Sequence, residues 1–394
     1  MDLVRQDNFS CTLPWRENNS FTLLMDGDIF FPKILLAFDK AHSAIDIEMY
    51  LFESGEISDL FIQALIRAKA RGVYIRLLLD DVGSHNLNNA DRQRLKKGGI
   101  DLRIFNPLRR KKRFRNLSRD HRKIIIIDDV SCFVGGAGIT DSFYPKVTGS
   151  RAWRDTMVEL NGPVVRDWQL LFERTWLHYD DIHKQEIRDQ LKAALSHLES
   201  TPLQNRTTPQ ARVVASRGIG NKPIIASLIS EINKSQTRVW LCTAYFYPSR
   251  KLIKALIKAA KRDVDVRLLL PGSHTDHPSV RYAGRTWYKK LLQAGVTVYE
   301  FQPRFLHMKL ALTEQWVSLG SCNFDRWNLR WNLEANLEAI DPTLASACQK
   351  MLENDFAESR QFGLTQWLQR PLIERFKEQF WKLVGSFLSR IENH

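Results

Sequence analysis

His121, Lys123 and Asp128 follow the pattern His-x-Lys-x-x-x-x-acid, and His307, Lys309 and Glu314 repeat it 186 positions later. Alternate residues of a strand share a face, so each copy sets an imidazole and an ammonium side by side. If the two copies pack about a pseudo-twofold axis, two histidines and two lysines converge on one pocket. Paired ammonium groups suit a phosphate that carries one negative charge and develops more. Paired imidazoles suit double displacement, in which one attacks phosphorus and the other protonates the departing oxygen. The nucleophile must then be neutral while the acid is charged, so the two titrate as a coupled pair. The lysines supply the positive charge, and nothing in the motifs calls for a metal or another cofactor. Small residues follow each copy: Gly135 and Gly136 after the first, Gly320, Ser321 and Asn323 after the second. There, backbone N–H groups can approach an anion. Asp128 and Glu314 complete the motifs seven residues beyond the histidines. That odd separation puts them on the opposite strand face, which predicts a structural role.

The elements that must position these groups alternate in type. The stretch "RDHRKIIIIDD" (119–129) feeds a histidine and a lysine into four isoleucines, the mark of a strand buried on both faces. Upstream, Ile34, Leu35, Phe38 and Ala41 have helical spacing, "SAIDIEMYLF" alternates at strand period, and Ile57 to Ala68 form a second helical face. "VYIRLLLD", a basic helix and "IDLRIF" complete the first series. From Asn221 the order recurs, with strands "RVWLCTAYFY", "VDVRLLLP" and "VTVYEF" and a helix expected over 281–293. Matching His-x-Lys copies at matching places turn this alternation into evidence of duplication. The predicted fold class is α/β, two tandem pseudo-twofold-related domains, each a mixed sheet flanked by helices, with the active site at their interface. The boundaries are 1–195 for the first domain, 196–212 for a polar, proline-containing linker, 213–362 for the second domain and 363–394 for an amphipathic helical tail.

The chain has 394 residues, 44% hydrophobic and 26% charged, enough for a large buried core. Its formal charge of +14 favours a polyanionic partner, a membrane surface or a nucleic acid. Five scattered cysteines without metal-ligand spacing read as reduced thiols of a cytosolic compartment. No signal-peptide core and no spanning apolar stretch is present in the sequence. The expected state is therefore soluble or surface-held.

The twin motifs with "GGAG" and "GSCN" resemble the phospholipase D superfamily, from about Phe30 to Asp355. Within it, "WRDTMVELNGPVV" (153–165) and "NLEANLEAI" (332–340) resemble bacterial cardiolipin synthases of the type without N-terminal membrane spans. The resemblance implies that Asp155 and Glu334, 34 and 27 residues after the histidines, hold His121 and His307 in the productive tautomer. It also implies His121 as nucleophile and His307 as acid, then base, with Gly136, Ser321 and Asn323 supporting. The implied reaction joins two phosphatidylglycerol molecules into cardiolipin and glycerol through a phosphatidyl-histidine. Two departures from the family pattern stand out: Gly138 where an Asn is usual, and Glu314 where an Asp is usual.

The superfamily also holds phospholipases and nucleases. In the tail, Ile373, Phe376, Phe380, Val384, Phe387 and Ile391 form one helical face, Trp381, Leu383 and Leu388 widen it, and four basic residues flank it. Such a helix fits a bilayer interface, with Phe376, Phe380, Trp381, Val384 and Phe387 as membrane-binding residues, or equally a helix docked on its own domain. "RRKKRFR" (109–115) suits anionic headgroups, DNA phosphates or solvent alike. No nucleic-acid-binding motif is present, so the expected partners are phospholipid substrates and an anionic membrane surface, not nucleic acid. The expected location is peripheral, on the cytoplasmic face of the bacterial inner membrane.

Overall fold

The structure, a computed structural model, describes residues 11–108, 116–178, 208–217, 222–324 and 331–391, with side chains described to Trp381. The basic stretch 109–115 and positions 196–207 of the expected linker lie outside the described residues. Strands run in chain order as β1 (Cys11–Thr12), β2 (Ser20–Met25), β3 (Ala44–Met49), β4 (Tyr74–Asp80), β5 (Asp101–Phe105), β6 (Lys123–Ile127), β7 (Ser131–Gly135) and β8 (Thr156–Asn161). The second series is β9 (Gln210–Arg217), β10 (Arg238–Cys242), β11 (Asp265–Pro271), β12 (Thr297–Phe301), β13 (Leu310–Thr313), β14 (Trp316–Gly320), β15 (Leu333–Ile340) and β16 (Ser359–Phe362).

The first series makes a seven-stranded mixed sheet, β2-β8-β7-β6-β3-β4-β5, and the second a nine-stranded one, β1-β9-β15-β14-β13-β10-β11-β12-β16. The order of core strands repeats: β6 and β13 each sit between a parallel-series strand (β3, β10) and the antiparallel hairpin partner (β7, β14). Two strands cross the expected boundaries. β9 begins at Gln210, inside the expected linker, because Gln210–Ile340 to Arg217–Leu333 pair as a full antiparallel ladder. Cys11 and Thr12, expected in the first domain, pair with β9 and belong to the second sheet.

The four isoleucines divide between two cores. Ile124 and Ile126 face the layer shared by the two sheets, with Trp168 and Phe172 from one half and Leu310, Leu312 and Leu352 from the other. Ile125 and Ile127 face the opposite layer, under the helices Gly27–Lys40 and Glu56–Ala70. Each buried isoleucine contributes about 1.5–3 kcal/mol by leaving water, so β6 is rigidly clamped on both sides. Lys123 lies in the row of Ile125 and Ile127, at the end of the strand nearest the other half. Ion pairs add to the join: Arg154 reaches Asp355 at 3.1 Å and Asp26 at 2.7 Å, and Arg304 reaches the same Asp26 at 2.5 Å.

Asp128 and Glu314, grouped with the catalytic motifs in sequence, stand at the far ends of β6 and β13, away from the histidines. Asp128 has a left-handed backbone (φ 55°) and accepts from the N–H groups of His42, Ser43 and Ala44 and from the Ser43 hydroxyl. Glu314 (φ 38°) accepts from the N–H groups of Gln236 and Thr237 and from the Thr237 hydroxyl. Both carboxylates therefore tie down the turn that enters the neighbouring strand, and the longer Glu314 does so as well as an aspartate. Partial burial opposes ionisation of Asp128, but its hydrogen bonds outweigh that and hold its carboxyl below the usual range. Asp128→Ala is expected to cost about 1–2 kcal/mol at neutral pH. A depressed folded-state pKa means that this stability is present above the unfolded-state value and disappears as pH falls through the folded-state one. Melting curves of the two proteins should accordingly converge in acid.

Two further expectations are corrected. The helix expected over 281–293 is broken into Pro278–Arg285 and Tyr288–Leu292, where the Thr286 hydroxyl donates to the Ala283 carbonyl and caps the first piece. The strands expected over 43–52 and 238–247 end early, at Met49 and Cys242. Met49 pairs with Lys123, and beyond that register the chain leaves the sheet towards the cavity described next.

Candidate active site

Each histidine segment leaves its own sheet and pairs with the other half. The His121 N–H donates to the Leu333 carbonyl at 3.0 Å, and the Leu333 N–H donates to Arg119 at 2.8 Å. Reciprocally, the His307 N–H donates to the Arg154 carbonyl at 2.8 Å, and the Arg154 N–H donates to Phe305 at 2.8 Å. Glu334 and Asp155 are the next residues after these partners. Their carboxylates consequently cross the interface: Glu334 meets His121 Nδ1 at 3.1 Å and Asp155 meets His307 Nδ1 at 2.7 Å. The resemblance implies Asp155 with His121 and Glu334 with His307, whereas in the structure each carboxylate meets the histidine of the other half.

With Nδ1 occupied by a carboxylate, Nε2 is the nitrogen left for chemistry, and both rings line a shared cavity of about 270 Å³. His121, Lys123, His307, Gly136 and Gly138 line it. Lys123 Nζ donates to the His121 carbonyl at 2.5 Å, while Lys309 Nζ donates to the His307 carbonyl and lies 3.0 Å from that ring's Nδ1. The Ser321 hydroxyl donates to Glu334 at 2.5 Å, and the Thr156 N–H donates to Asp155 at 2.7 Å. Gly136 occupies the position corresponding to Ser321, and a Cβ there would stand 2.5 Å from an Asp155 oxygen, so glycine makes room for the carboxylate. A Cβ at Gly138 would meet Leu51 at 2.6 Å, which accounts for the missing asparagine. Asn323 is fully buried, does not line the cavity, and has no partner for its amide among the described residues.

Burial dominates the electrostatics. It pulls His121 below its ordinary pKa against the opposing pull of Glu334. For His307, burial and the charges of Lys309, Lys123 and His121 act together, holding the imidazole well below its ordinary value. Burial also pushes Asp155 up to about 6, so this carboxyl and His307 compete for a proton along their short contact. Lys309 is lowered by burial, and Lys123 is brought down to about 7 by burial and by Lys309, against Glu334. Lys123 is thus charged below neutrality and loses its proton above it. The kcat/KM for an anionic phosphodiester should show an alkaline limb near pH 7. Lys123→Arg, whose guanidinium stays charged, should move that limb upward, and a pH profile of the two proteins checks it.

Seven lining residues lie outside the His-x-Lys motifs and the small residues after them: Tyr50, Leu51, Trp153, Tyr245, Asp276, His277 and Asn332, of which Trp153 and Asn332 open the two stretches that carry the family resemblance. Tyr50 packs 4.7 Å from the His121 ring and Trp153 packs 5.3 Å from that of His307. Tyr50 and Tyr245 stand within the stretches read as strands, and nothing in the sequence singled out Asp276 or His277. Among the described residues no cluster of three or more His, Cys, Asp or Glu side chains is placed to hold a metal. All five cysteines are free.

The expected tail helix spans Leu372–Ile391 and docks on the helix Pro278–Arg285 through its acids: Arg285 pairs with Glu374 at 2.8 Å and with buried Glu378 at 3.5 Å. Its apolar residues point away, with Leu372 77%, Ile373 64% and Phe376 71% exposed, and with Phe380 also exposed and stacked edge-on with Trp381. Val384 and Phe387 belong to the same helix, but their side chains lie outside the described residues. Among the described residues no helix is long and apolar enough to cross a membrane.

Two mixed α/β halves joined about a pocket of paired His-x-Lys motifs define a phosphodiester-processing fold of the phospholipase D type. A solved phosphatidylserine synthase of Haemophilus influenzae has the same fold, with a TM-score of 0.72 at 14% identity, covering 97% of this chain and 96% of that one. A polyphosphate kinase of Porphyromonas gingivalis shares it at a TM-score of 0.59 and 15% identity, over 92% of this chain and 53% of that one. The family model described as "Cardiolipin synthase, PLD-like domain" matches residues 34–176 and 228–356. Cardiolipin synthase A of Pseudomonas fluorescens is 30% identical over 384 residues, 95% of this chain and 76% of that protein. Cardiolipin synthase A of Pseudomonas aeruginosa is 32% identical over 353 residues (89% and 69%), and the cardiolipin synthase of Clostridium perfringens is 27% identical over 391 residues (98% and 81%). The chain belongs to the cardiolipin synthase family of the phospholipase D superfamily, a family of phosphatidyltransferases.

Proposed function

We infer that this protein is a cardiolipin synthase that transfers a phosphatidyl group between two phosphatidylglycerol molecules. The observation that carries this reading is the pair of buried imidazoles in one cavity, each bound at Nδ1 by the carboxylate of the opposite half, with Lys123 lining the cavity and Lys309 against the His307 ring. His121 Nε2 attacks phosphorus, the bond to the glycerol oxygen breaks, and His307 Nε2 gives that oxygen its proton. His307 then takes the proton of a second lipid's hydroxyl, whose oxygen displaces His121 and yields cardiolipin. The phosphate's charge offsets the lysines, which add to the effect of burial in lowering both imidazoles, so substrate entry itself raises the proton affinity of His307. In this reading the enzyme sits at the surface of the cytoplasmic leaflet. The net positive charge and the exposed Leu372, Ile373, Phe376 and Phe380 support that placement.

Incubation with phosphatidylglycerol vesicles tests the reading. Cardiolipin and glycerol in equal amounts are expected, phosphatidic acid as the sole product would make the protein a hydrolase, and inertness towards lipid with cleavage of DNA would overturn the assignment. In the same assay, joint Phe376→Ser and Phe380→Ser substitution should lower the vesicle-bound fraction several-fold, since each large apolar side chain contributes about 1.5–3 kcal/mol on leaving water.

A further inference from the structure

We propose that Asp276, with Tyr245 and His277, forms a subsite for the vicinal diol of a glycerol headgroup, occupied first by the departing glycerol and then by the acceptor lipid. This deepens the phosphatidyltransferase reading and rests on it. All three residues line the cavity that holds the paired histidines. The Tyr245 hydroxyl donates to Asp276 Oδ2 at 2.5 Å, which fixes the carboxylate and turns its second oxygen to other donors. His277 stands beside it, Nε2 3.7 Å from Asp276 Oδ2 and its ring 5.4 Å from that of Tyr245. Tyr245 also lies edge-on to the His307 ring, at 6.5 Å and 89°, so the cluster is mounted at the His307 end of the cavity.

The cavity is asymmetric in a way that the duplication does not explain. Tyr50 packs on the His121 ring and Tyr245 stands edge-on to that of His307, but Asp276, bonded to Tyr245, is the one carboxylate among the described lining residues. A carboxylate repels a phosphate, which belongs with Lys123 and Lys309, but it accepts strongly from hydroxyl groups. A cationic headgroup would add charge to a cavity lined by Lys123 with Lys309 close behind His307, so a neutral polyol fits better. The position also matches the chemistry. One histidine protonates the leaving glycerol oxygen and later deprotonates the acceptor hydroxyl, so microscopic reversibility puts both headgroups in the same place, beside His307. A fixed carboxylate accepting from one hydroxyl leaves the other to face His307.

Competition between soluble acceptors tests this. Wild-type protein on phosphatidylglycerol vesicles is given isotope-labelled glycerol, propan-1-ol or ethanolamine, and incorporation of each label into phospholipid is measured. Sites built to bind a hydroxyl discriminate strongly against analogues that lack it. Glycerol should be favoured over propan-1-ol by about a hundredfold, and Asp276→Asn should cut that ratio by about tenfold or more. Tyr245→Phe, which keeps the ring, should cut it in the same direction but less. A ratio unchanged in Asp276→Asn, with both rates falling together, would make Asp276 structural and overturn the subsite alone. Wild-type preference for ethanolamine, lost in Asp276→Asn, would make the site an ammonium site and overturn it too. Absence of transfer to any alcohol by wild-type protein would overturn the transferase reading and the subsite with it.

Discussion

His121→Ala protein incubated with phosphatidylglycerol should form no acid-labile adduct between protein and lipid phosphate, and its turnover should fall by at least about 10⁴-fold. Both losses come from one cause, removal of the Nε2 that bonds to phosphorus, and no other imidazole in the cavity can take the same line of attack. His307→Ala should behave differently. Its loss removes the proton donor and later acceptor, worth about 10²–10⁴-fold, from both half-reactions. With a donor lipid whose leaving group needs no proton, such as a phosphatidyl nitrophenol, the adduct should form and persist, since the base that activates the second alcohol is gone. Phosphate-labelled protein resolved under alkaline conditions reads both. An adduct that survives in His121→Ala and vanishes in His307→Ala would exchange the two roles.

The second large effect concerns the carboxylates that cross the interface. Glu334→Gln changes a residue of the second half, yet it should reproduce the His121 defect, failure to form the adduct, because Glu334 orients the His121 ring at 3.1 Å. Asp155→Asn changes the first half but should reproduce the His307 defect, an adduct that forms from the activated donor and persists. The expected losses in turnover are about 10²–10⁴-fold each, the scale seen when a histidine loses its tautomer-fixing carboxylate. The double variant Glu334→Gln with His121→Ala should be no slower than His121→Ala alone, since the carboxylate then has no ring to hold. If Glu334→Gln instead matched His307→Ala, each carboxylate would serve its own half and the crossed pairing would be wrong. Circular dichroism and melting curves separate these outcomes from unfolding, which matters because both carboxylates are buried.

The crossing gives the duplication a functional reason. In the proposed mechanism neither half contains a complete catalytic unit: each histidine is held through its backbone N–H and through Nδ1 by the half it does not belong to. Separation of the halves by even a few tenths of an ångström would lengthen both contacts together. The ion pairs of Arg154 and Arg304 with Asp26 and Asp355, which bracket the Arg154–Asp155 segment, are therefore placed to keep the two sites in register.

Much of this was legible in the residues themselves. The period of two in "HRKIIII" determines that His121 and Lys123 share a face and that the isoleucines split between two layers, because side-chain direction in a strand is a local property. The repeat of that pattern at His307 and Lys309 determined the duplication and the proposed two-lysine, two-histidine site, and parity alone took Asp128 and Glu314 out of the pocket. The pairing of carboxylate with histidine was not local. It depends on which exposed N–H and carbonyl groups meet when the halves dock, and Leu333 meets His121 while Arg154 meets His307. The ends of the strands at Met49 and Cys242 were equally invisible. "MYLF" and "TAYFY" keep strand composition after the sheet has ended, so nothing in the alternation marks where Tyr50 and Tyr245 turn to the cavity. Asp276 and His277 stand in a polar loop that looks like any other until the fold brings it against Tyr245. Local periodicity decided the faces, and the packing of one half on the other decided the partners.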